Sequence, residues 1–415
     1  MSSSRSSFWL GVLSYCLATM FLLYEMAVQV SPSVMVHPLM HDLHIDAAIL
    51  GMMASTYFYS YTLMQIPVGL LYDRFPAKWL LLIAILCCAS GLFFFSTTAQ
   101  VATLALGRFL MGIGSAFAFV GVLVTAARWF PKRYFAFLVG LAQLLAALGA
   151  AGGQWPLSFL VHAIGWRASA YDLAWVGVAL AVVVFFFMRR HSSESQLKTR
   201  LSLHALWVSL RRVVACPSMW WIALYAFFSW APIAVFASLW GVPFLMQRFM
   251  VSNTEATSMI LTVWLALAVT APSLGLLTRW VKTMSLLRVT AIVGAIGTAF
   301  LIFVSGHFTW WHLVCLAAIG VAASGQILTF DLVRQQQTQE DLGVAVGFVN
   351  MAVVAGGALL QPLSGWILRW HSHGLMQHGV PVYNVSDYHA ALFLVPLSFV
   401  LALLVSFKIQ RSVCD

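Results

Sequence analysis

Of the chain's 415 residues, 62% are hydrophobic and 8% charged, a balance that excludes a water-soluble globule and makes lipid the main solvent. The net charge of +10 does not point to nucleic acid, because the basic residues sit at the ends of apolar runs and not along one amphipathic face. Cys16, Cys87, Cys88, Cys216 and Cys315 lie in or beside apolar runs and Cys414 beyond the last one, so no disulfide framework is implied.

The first apolar run, from Phe8 past Val30, is longer than a signal-peptide core, contains Glu25 and lacks a small-residue cleavage site, so it is expected to stay as a membrane helix. At about 20 residues per crossing, further helices are expected at roughly 47–71, 79–98, 101–127, 133–160 and 169–188, then at 216–246, 255–277, 285–305, 309–333, 341–369 and 388–407. The spacing predicts an all-α polytopic membrane protein of about twelve transmembrane helices. Residues 1–190 are expected to form an N-terminal six-helix bundle, 191–214 a cytoplasmic linker and 215–415 a C-terminal six-helix bundle. Within the linker, 201–213 has apolar residues at helical spacing with Arg211 and Arg212 at its end, which suits either an amphipathic helix on the membrane surface or a solvated connection. With the N-terminus inside, 18 Lys and Arg collect on the inner side and only Arg167, Arg248 and Arg369 on the outer, Arg108 being left within the membrane. Both termini therefore read as cytoplasmic.

The short charged turn at 69–81, GLLYDRFPAKWLL, is echoed about 206 residues later by GLLTRWVKTMSLL at 275–287, an internal repeat of half the chain. Gly69, Asp73, Arg74, Lys78 and Leu81 resemble the loop between helices 2 and 3 of the major facilitator superfamily. Pro76 and Ala77 stand where that family usually has Gly and then Arg, and Arg279 replaces the acid in the second copy. The resemblance implies two halves rocking around one site, with Asp73, Arg74 and Lys78 as gating residues and Asp73 meeting the start of helix 11. Asp331 and Arg334, on one face near the inner end of helix 10, are expected to form a cytoplasmic clasp.

Glu25 is the most informative single residue, since an acid in a membrane helix costs about 2.5–3.5 kcal/mol on insertion scales and rarely faces lipid. Gln29 lies one turn on and Tyr24 is adjacent, making a patch for substrate or a proton, or else half of a structural ion pair. Arg108, in LGRFLMGIG, resembles the superfamily's buried helix 4 arginine; the glycines let helices approach, and a guanidinium can grip a carboxylate through two parallel hydrogen bonds. If Glu25 takes an ammonium and Arg108 a carboxylate across one cavity, the ligand is a zwitterion; if they pair with each other, that inference falls. Tyr57, Tyr61 and Gln65 make one helix 2 stripe, suited to a wet cavity or to packing between helices.

Helix 5 carries Gly149, Gly152 and Gly153, similar to the glycine-rich signature of drug/proton antiporters, but Ala150 and Leu145 stand where that signature has proline and glycine, so close packing is expected instead. Gly140, Gln143, Gly149 and Gln154 are matched about 207 residues on by Gly347, Asn350, Gly356 and Gln361, which makes Asn350 the second half's candidate nearest the cavity. Trp230 and Pro232 are a candidate gate at a kink in helix 7, and Trp220 and Trp221 read as interface anchors. His37, His41, His44, His371, His373, His378 and His389 lie on outer segments without nearby cysteines, so no metal is expected. The absence of a Walker motif, nucleophile elbow or dehydrogenase fingerprint argues against an enzyme and against a cofactor.

The expected function is secondary active transport of a small polar organic solute by alternating access, with proton coupling left open. SPSVM after helix 1 and QIPVGLLYDRF resemble bacterial relatives of lysosomal dipeptide transporters and phagosomal nutrient importers, which implies an amino acid or small peptide. A monomer in a bacterial inner membrane is expected, with the solute, protons and the bilayer as its partners. The alternatives are efflux of drugs or of organic anions such as a siderophore, a non-transporting receptor or sensor, which would need an output domain, and a channel.

Overall fold

A computed structural model describes residues 2–189, 203–337, 341–372, 376–377 and 380–409. A bilayer offers no water to backbone N–H and C=O groups, so each apolar run closes its own hydrogen bonds as a helix. The first part of the chain forms α1 (Ser2–Val30), a 3-10 turn (Ser31–Val34), α2 (Val36–Leu43), α3 (Ala47–Arg74), α4 (Ala77–Thr97), α5 (Val101–Trp129), α6 (Lys132–Gly152) and α7 (Trp155–Phe187). After the linker helix α8 (Leu203–Ala215) come α9 (Pro217–Pro232), a π-helical stretch (Ile233–Trp240), α10 (Gly241–Phe249), α11 (Asn253–Leu277) and α12 (Thr283–Phe303). The chain continues through α13 (Trp310–Ala323), a 3-10 break (Ser324–Gln326), α14 (Ile327–Gln336) and α15 (Leu342–His371), then a two-residue antiparallel pair, β1 (Met376–Gln377) with β2 (Val380–Pro381), α16 (Val385–Leu392) and α17 (Leu394–Ile409).

Among the described residues, ten stretches are long and apolar enough to cross a membrane. One of them, Phe137–Phe187, is 51 residues long and holds two crossings, because Gly165 at φ 82°, a left-handed conformation open to glycine, turns the chain inside α7. With the 28 residues of α3 the crossings are twelve, six before the linker and six after, close to the expected boundaries. The 190–202 part of the linker lies outside the described residues; the remainder is α8, whose buried Ser209 and exposed Arg212 both bond Asp341 at the start of α15. Cys16, Cys87, Cys88 and Cys315 are free thiols, while Cys216 is in a disulfide, which the sequence reading did not anticipate.

The two sets of six meet chiefly through α3 against α15 and α6 against α11. On the side away from α8 they are tied together. Asp46 pairs with Arg369 at 3.2 Å, the Ala47 N–H donates to the Tyr383 hydroxyl at 3.0 Å, and Asn253 Nδ2 donates to the Val34 carbonyl at 3.1 Å. A Cβ added at Gly365 of α15 would collide with the Ala47 carbonyl of α3, so the two backbones touch there. A Cβ at Gly347, 18 residues earlier on the same helix, would have nothing within 4 Å. The buried core shows the same asymmetry. One hydrophobic cluster draws on both sets, whereas the second set has its own separate cluster around Tyr225, Leu287 and Phe348 toward the linker side. The far side is closed, while toward the linker side the ties between the two sets are fewer among the described residues, a Gln65–Asn350 bond between α3 and α15 being one of them.

Candidate functional site

A cavity of about 700 Å³, counting its open mouth, lies between the two sets of crossings. The first set supplies Glu25 and Gln29 from α1, Tyr61 from α3, Phe119 from α5 and Gln143 from α6; the second supplies Trp230 from α9, Gln326 and Phe330 from crossing 10, and Asn350 from α15. Among its lining residues Glu25 alone carries an ionisable acid or base of ordinary charge, and no Lys, Arg or His reaches the wall. The internal repeat is built into this wall. Gln143 and Asn350, Ala146 and Val353, Ala147 and Val354, and Phe119 and Gln326 are all lining pairs 207 residues apart.

Glu25 is 1% exposed, and its Oε1 accepts a 2.6 Å hydrogen bond from the Tyr57 hydroxyl. Tyr57 is fully buried behind the wall, its ring stacked on Tyr61 at 5.9 Å. On the other face of this arrangement lies Arg108, whose guanidinium carbon is 4.6 Å from the centre of the Tyr57 ring. The Arg108 amino groups donate to the carbonyls of Val28 at 3.0 Å and Gln29 at 3.3 Å, strapping α5 to the last turn of α1.

This corrects two of the sequence expectations. Glu25 and Arg108 neither form an ion pair nor face each other across the cavity; both engage Tyr57, one through its hydroxyl and the other through its ring, and only Glu25 lines the space. The physical reason is that two free carbonyls on α1 satisfy the guanidinium fork better than an open cavity would. The proposed clasp is also different, since Asp331 accepts from Gln335 Nε2 at 2.7 Å and Arg334 is exposed.

Glu25, Gln29, Tyr61, Trp230 and Asn350 therefore come together on one cavity, while Tyr57 and Arg108 form a layer behind it. Gln65 is not on the wall, but its Oε1 accepts from Asn350 Nδ2 at 2.5 Å, a bond that joins α3 to α15. Of the loop residues, Lys78 places its ammonium 5.6 Å from the Trp79 ring and 5.4 Å from the Phe185 ring, Arg74 is exposed, and the side chain of Asp73 lies outside the described residues. Trp230 precedes Pro232, after which the helix widens to π geometry, as a proline lacking its N–H invites. Among the described residues no group of three His, Cys, Asp or Glu could hold a metal.

The wall residues not nominated from sequence include Phe119, Gln326 and Phe330. For Gln326 a signal was present, a lone amide after Ser324 and Gly325 inside an otherwise apolar run.

Residues 15–360 match the sequence profile of the Major Facilitator Superfamily. The chain belongs to that superfamily. It is thus a multi-pass membrane protein of two six-helix repeats. A "Probable nitrate transporter NarT" of Staphylococcus carnosus (strain TM300) is 24% identical over 86% of this chain and 88% of its own length. The "Uncharacterized transporter YybO" of Bacillus subtilis (strain 168) is 30% identical, but the match spans 40% of this chain and 38% of that relative, less than two thirds of its length. Among solved structures, a bacterial homolog to the human lysosomal transporter Spinster, in an inward-facing and unoccupied conformation, superposes with a TM-score of 0.76 over 98% of this chain and 99% of its own, at 14% identity. That likeness speaks to the fold of the Major Facilitator Superfamily chain.

Proposed function

We propose that this superfamily member is a secondary transporter that carries a small, ammonium-bearing organic solute of the amino-acid or small-peptide class across a bacterial inner membrane by alternating access. Residues 1–190 and 215–415 rock about the cavity as two bodies joined by the linker at 191–214. The excess of Lys and Arg on the linker side makes that side cytoplasmic, so the arrangement described above is open inward and sealed outward. The protein works as a monomer.

The observation that carries the reading is Glu25. It is a buried acid on the cavity wall with, among the described residues, a tyrosine hydroxyl as its one polar partner and no cation beside it. A carboxylate in such a place calls for a positive charge or a proton brought by the cavity's contents. The amides of Gln29, Gln143, Gln326 and Asn350 on the same wall suit a polar solute. With Arg108 turned to the α1 carbonyls, a free carboxylate on the solute meets no cation, so within that class amide and peptide groups suit the wall better than the carboxylate of a free amino acid.

The test is uptake by purified protein in proteoliposomes, offered labelled amino acids, dipeptides, simple amines and small carboxylates with and without an inward pH gradient. Wild type should accumulate amine-bearing solutes, and Glu25→Gln should lose that uptake. If Glu25 also carries a coupling proton, Glu25→Gln should keep solute exchange while losing the response to the gradient. Unchanged binding and uptake in Glu25→Gln would defeat the proposal. The printed names of the relatives, nitrate for one, favour small anions instead, and uptake of carboxylates but not of amines would support that second reading.

A further inference from the structure

Gln326 sits where crossing 10 tightens. α13 ends at Ala323, Ser324–Gln326 tightens to a 3-10 turn, and α14 resumes at Ile327. The tight packing of Gly325 against Thr290 and the Tyr225 hydroxyl holds the tightened turn in place. Crossing 10 stays helical through this turn, and a 3-10 stretch inside a helix often marks a functional hinge. The side chain of Gln326 lines the cavity, is 5% exposed, and has no hydrogen-bond partner among the described residues. Gln143, on α6 of the first repeat, is half-buried on the same wall and likewise has no hydrogen-bond partner among the described residues, while its repeat mate Asn350 already donates to Gln65. The repeat mate of Gln326 is Phe119, which also lines the cavity. The two repeats therefore furnish unlike groups at matching places, and the cavity is polarised, with the acid on α1 and a free amide on crossing 10.

A carboxamide side chain offers donor and acceptor together, and leaving both unpaired in a half-dry site is costly. The group that satisfies it presents an acceptor and a donor side by side without net charge. From this we infer that Gln326, with Gln143, is the specificity-determining subsite for an uncharged donor–acceptor group, such as a carboxamide, on a solute whose ammonium Glu25 meets. The inference rests on the amine reading given under Proposed function. It also assigns a consequence, because a solute held by Glu25 in one repeat and Gln326 in the other bridges the two bodies.

Three probes built on one amine skeleton separate the cases: leucinamide, isoamylamine, which lacks the carboxamide, and leucine, which has a carboxylate in its place. Binding to the full-length protein in detergent is read by thermal shift and titration calorimetry. Wild type should bind leucinamide at least about tenfold more tightly than isoamylamine or leucine, the scale of roughly one well-made hydrogen bond in a dry site. Gln326→Leu should bring leucinamide and isoamylamine to within about twofold of each other while still binding isoamylamine, which shows the variant to be folded. Gln326→Lys should invert the preference toward leucine, a gain that misfolding cannot imitate. Equal binding of leucinamide and isoamylamine by wild type, or an unchanged ratio in Gln326→Leu, overturns the subsite while leaving the amine reading intact. Failure of wild type to bind any of the three overturns both.

Discussion

Replacing Arg108 by Lys distinguishes a strap from a substrate ligand. The guanidinium makes two hydrogen bonds to α1, at 3.0 Å to the Val28 carbonyl and 3.3 Å to the Gln29 carbonyl, and lies 4.6 Å over the Tyr57 ring. A lysine ammonium is a point charge and cannot span both carbonyls while stacking on the ring. Losing one charge-assisted hydrogen bond is worth about 1.5–3 kcal/mol, and weakening a desolvated cation–π contact takes part of about 2 kcal/mol. The expected cost is about 2–4 kcal/mol of stability, measured by unfolding in mixed micelles with increasing denaturing detergent. Solute selection should not follow, because Arg108 lies behind the wall. The ratio of affinities for leucine and leucinamide should match wild type within about twofold. A selective loss of carboxylate binding at unchanged stability would refute the argument and return Arg108 to the cavity.

Much of the architecture was legible in the sequence because the bilayer reduces the problem to length and hydropathy. Twelve crossings, the break between the halves and the 207-residue echo of helix 5 in helix 11 all follow from apolar runs and repeated polar positions. Glu25, Gln29, Tyr61, Trp230 and Asn350 could be picked out for the same reason, since a polar group in lipid has to face something. The direction of Arg108 could not be read. Its long side chain chooses among acceptors that only the packed α1 terminus provides, so spacing alone left bridging and pairing equally open. Gln326 was visible as a lone amide, but its role was obscured by a different cause. Its place on the wall depends on the 3-10 turn at Ser324–Gln326, and nothing in the run of small residues before it fixes where the helix loosens. The stripe Tyr57, Tyr61 and Gln65 was seen as one face, yet packing against α1 and α15 divides it into a buried hydroxyl, a wall residue and a link between repeats.

Three further outcomes are expected. Gly365→Ala should lower thermal stability by about 1–3 kcal/mol, the usual cost of overpacking, while Gly347→Ala on the same helix should be neutral within about 0.5 kcal/mol, both read by thermal unfolding in detergent. Partial burial works to raise the carboxyl pKa of Asp42, but hydrogen bonds from Trp166, His41 and Arg167, together with the Arg167 charge, outweigh it and hold it below the usual carboxylate range. Its contribution is present above about pH 3.9 and is lost as pH falls through the depressed folded value; at 38% side-chain exposure it amounts to at most about 1 kcal/mol, and Asp42→Asn should flatten that part of the stability–pH curve. The last outcome concerns the seal on the far side. Gln154 Nε2 donates to the Ser33 hydroxyl at 2.7 Å and to the Ala237 carbonyl at 2.5 Å, and its Oε1 accepts from the buried Trp264 indole at 2.6 Å. Its repeat mate Gln361 donates only to the Ala234 carbonyl, at 2.7 Å, and its own Oε1 is buried without a partner. Both glutamines thus hold carbonyls of one π-helical stretch, but Gln154 alone would leave a buried donor orphaned in the opposite repeat. Gln154→Leu should therefore shift the closed-to-open balance on the far side by about 1–3 kcal/mol, at least about fivefold in population, and Gln361→Leu by less. Spin labels at Ile49→Cys and Trp370→Cys, in a Cys16→Ser background, report the separation of α3 and α15 there. A longer-distance population that grows in Gln154→Leu more than in Gln361→Leu is the expected result, and identical distance distributions in all three proteins would show that the glutamines do not hold the seal.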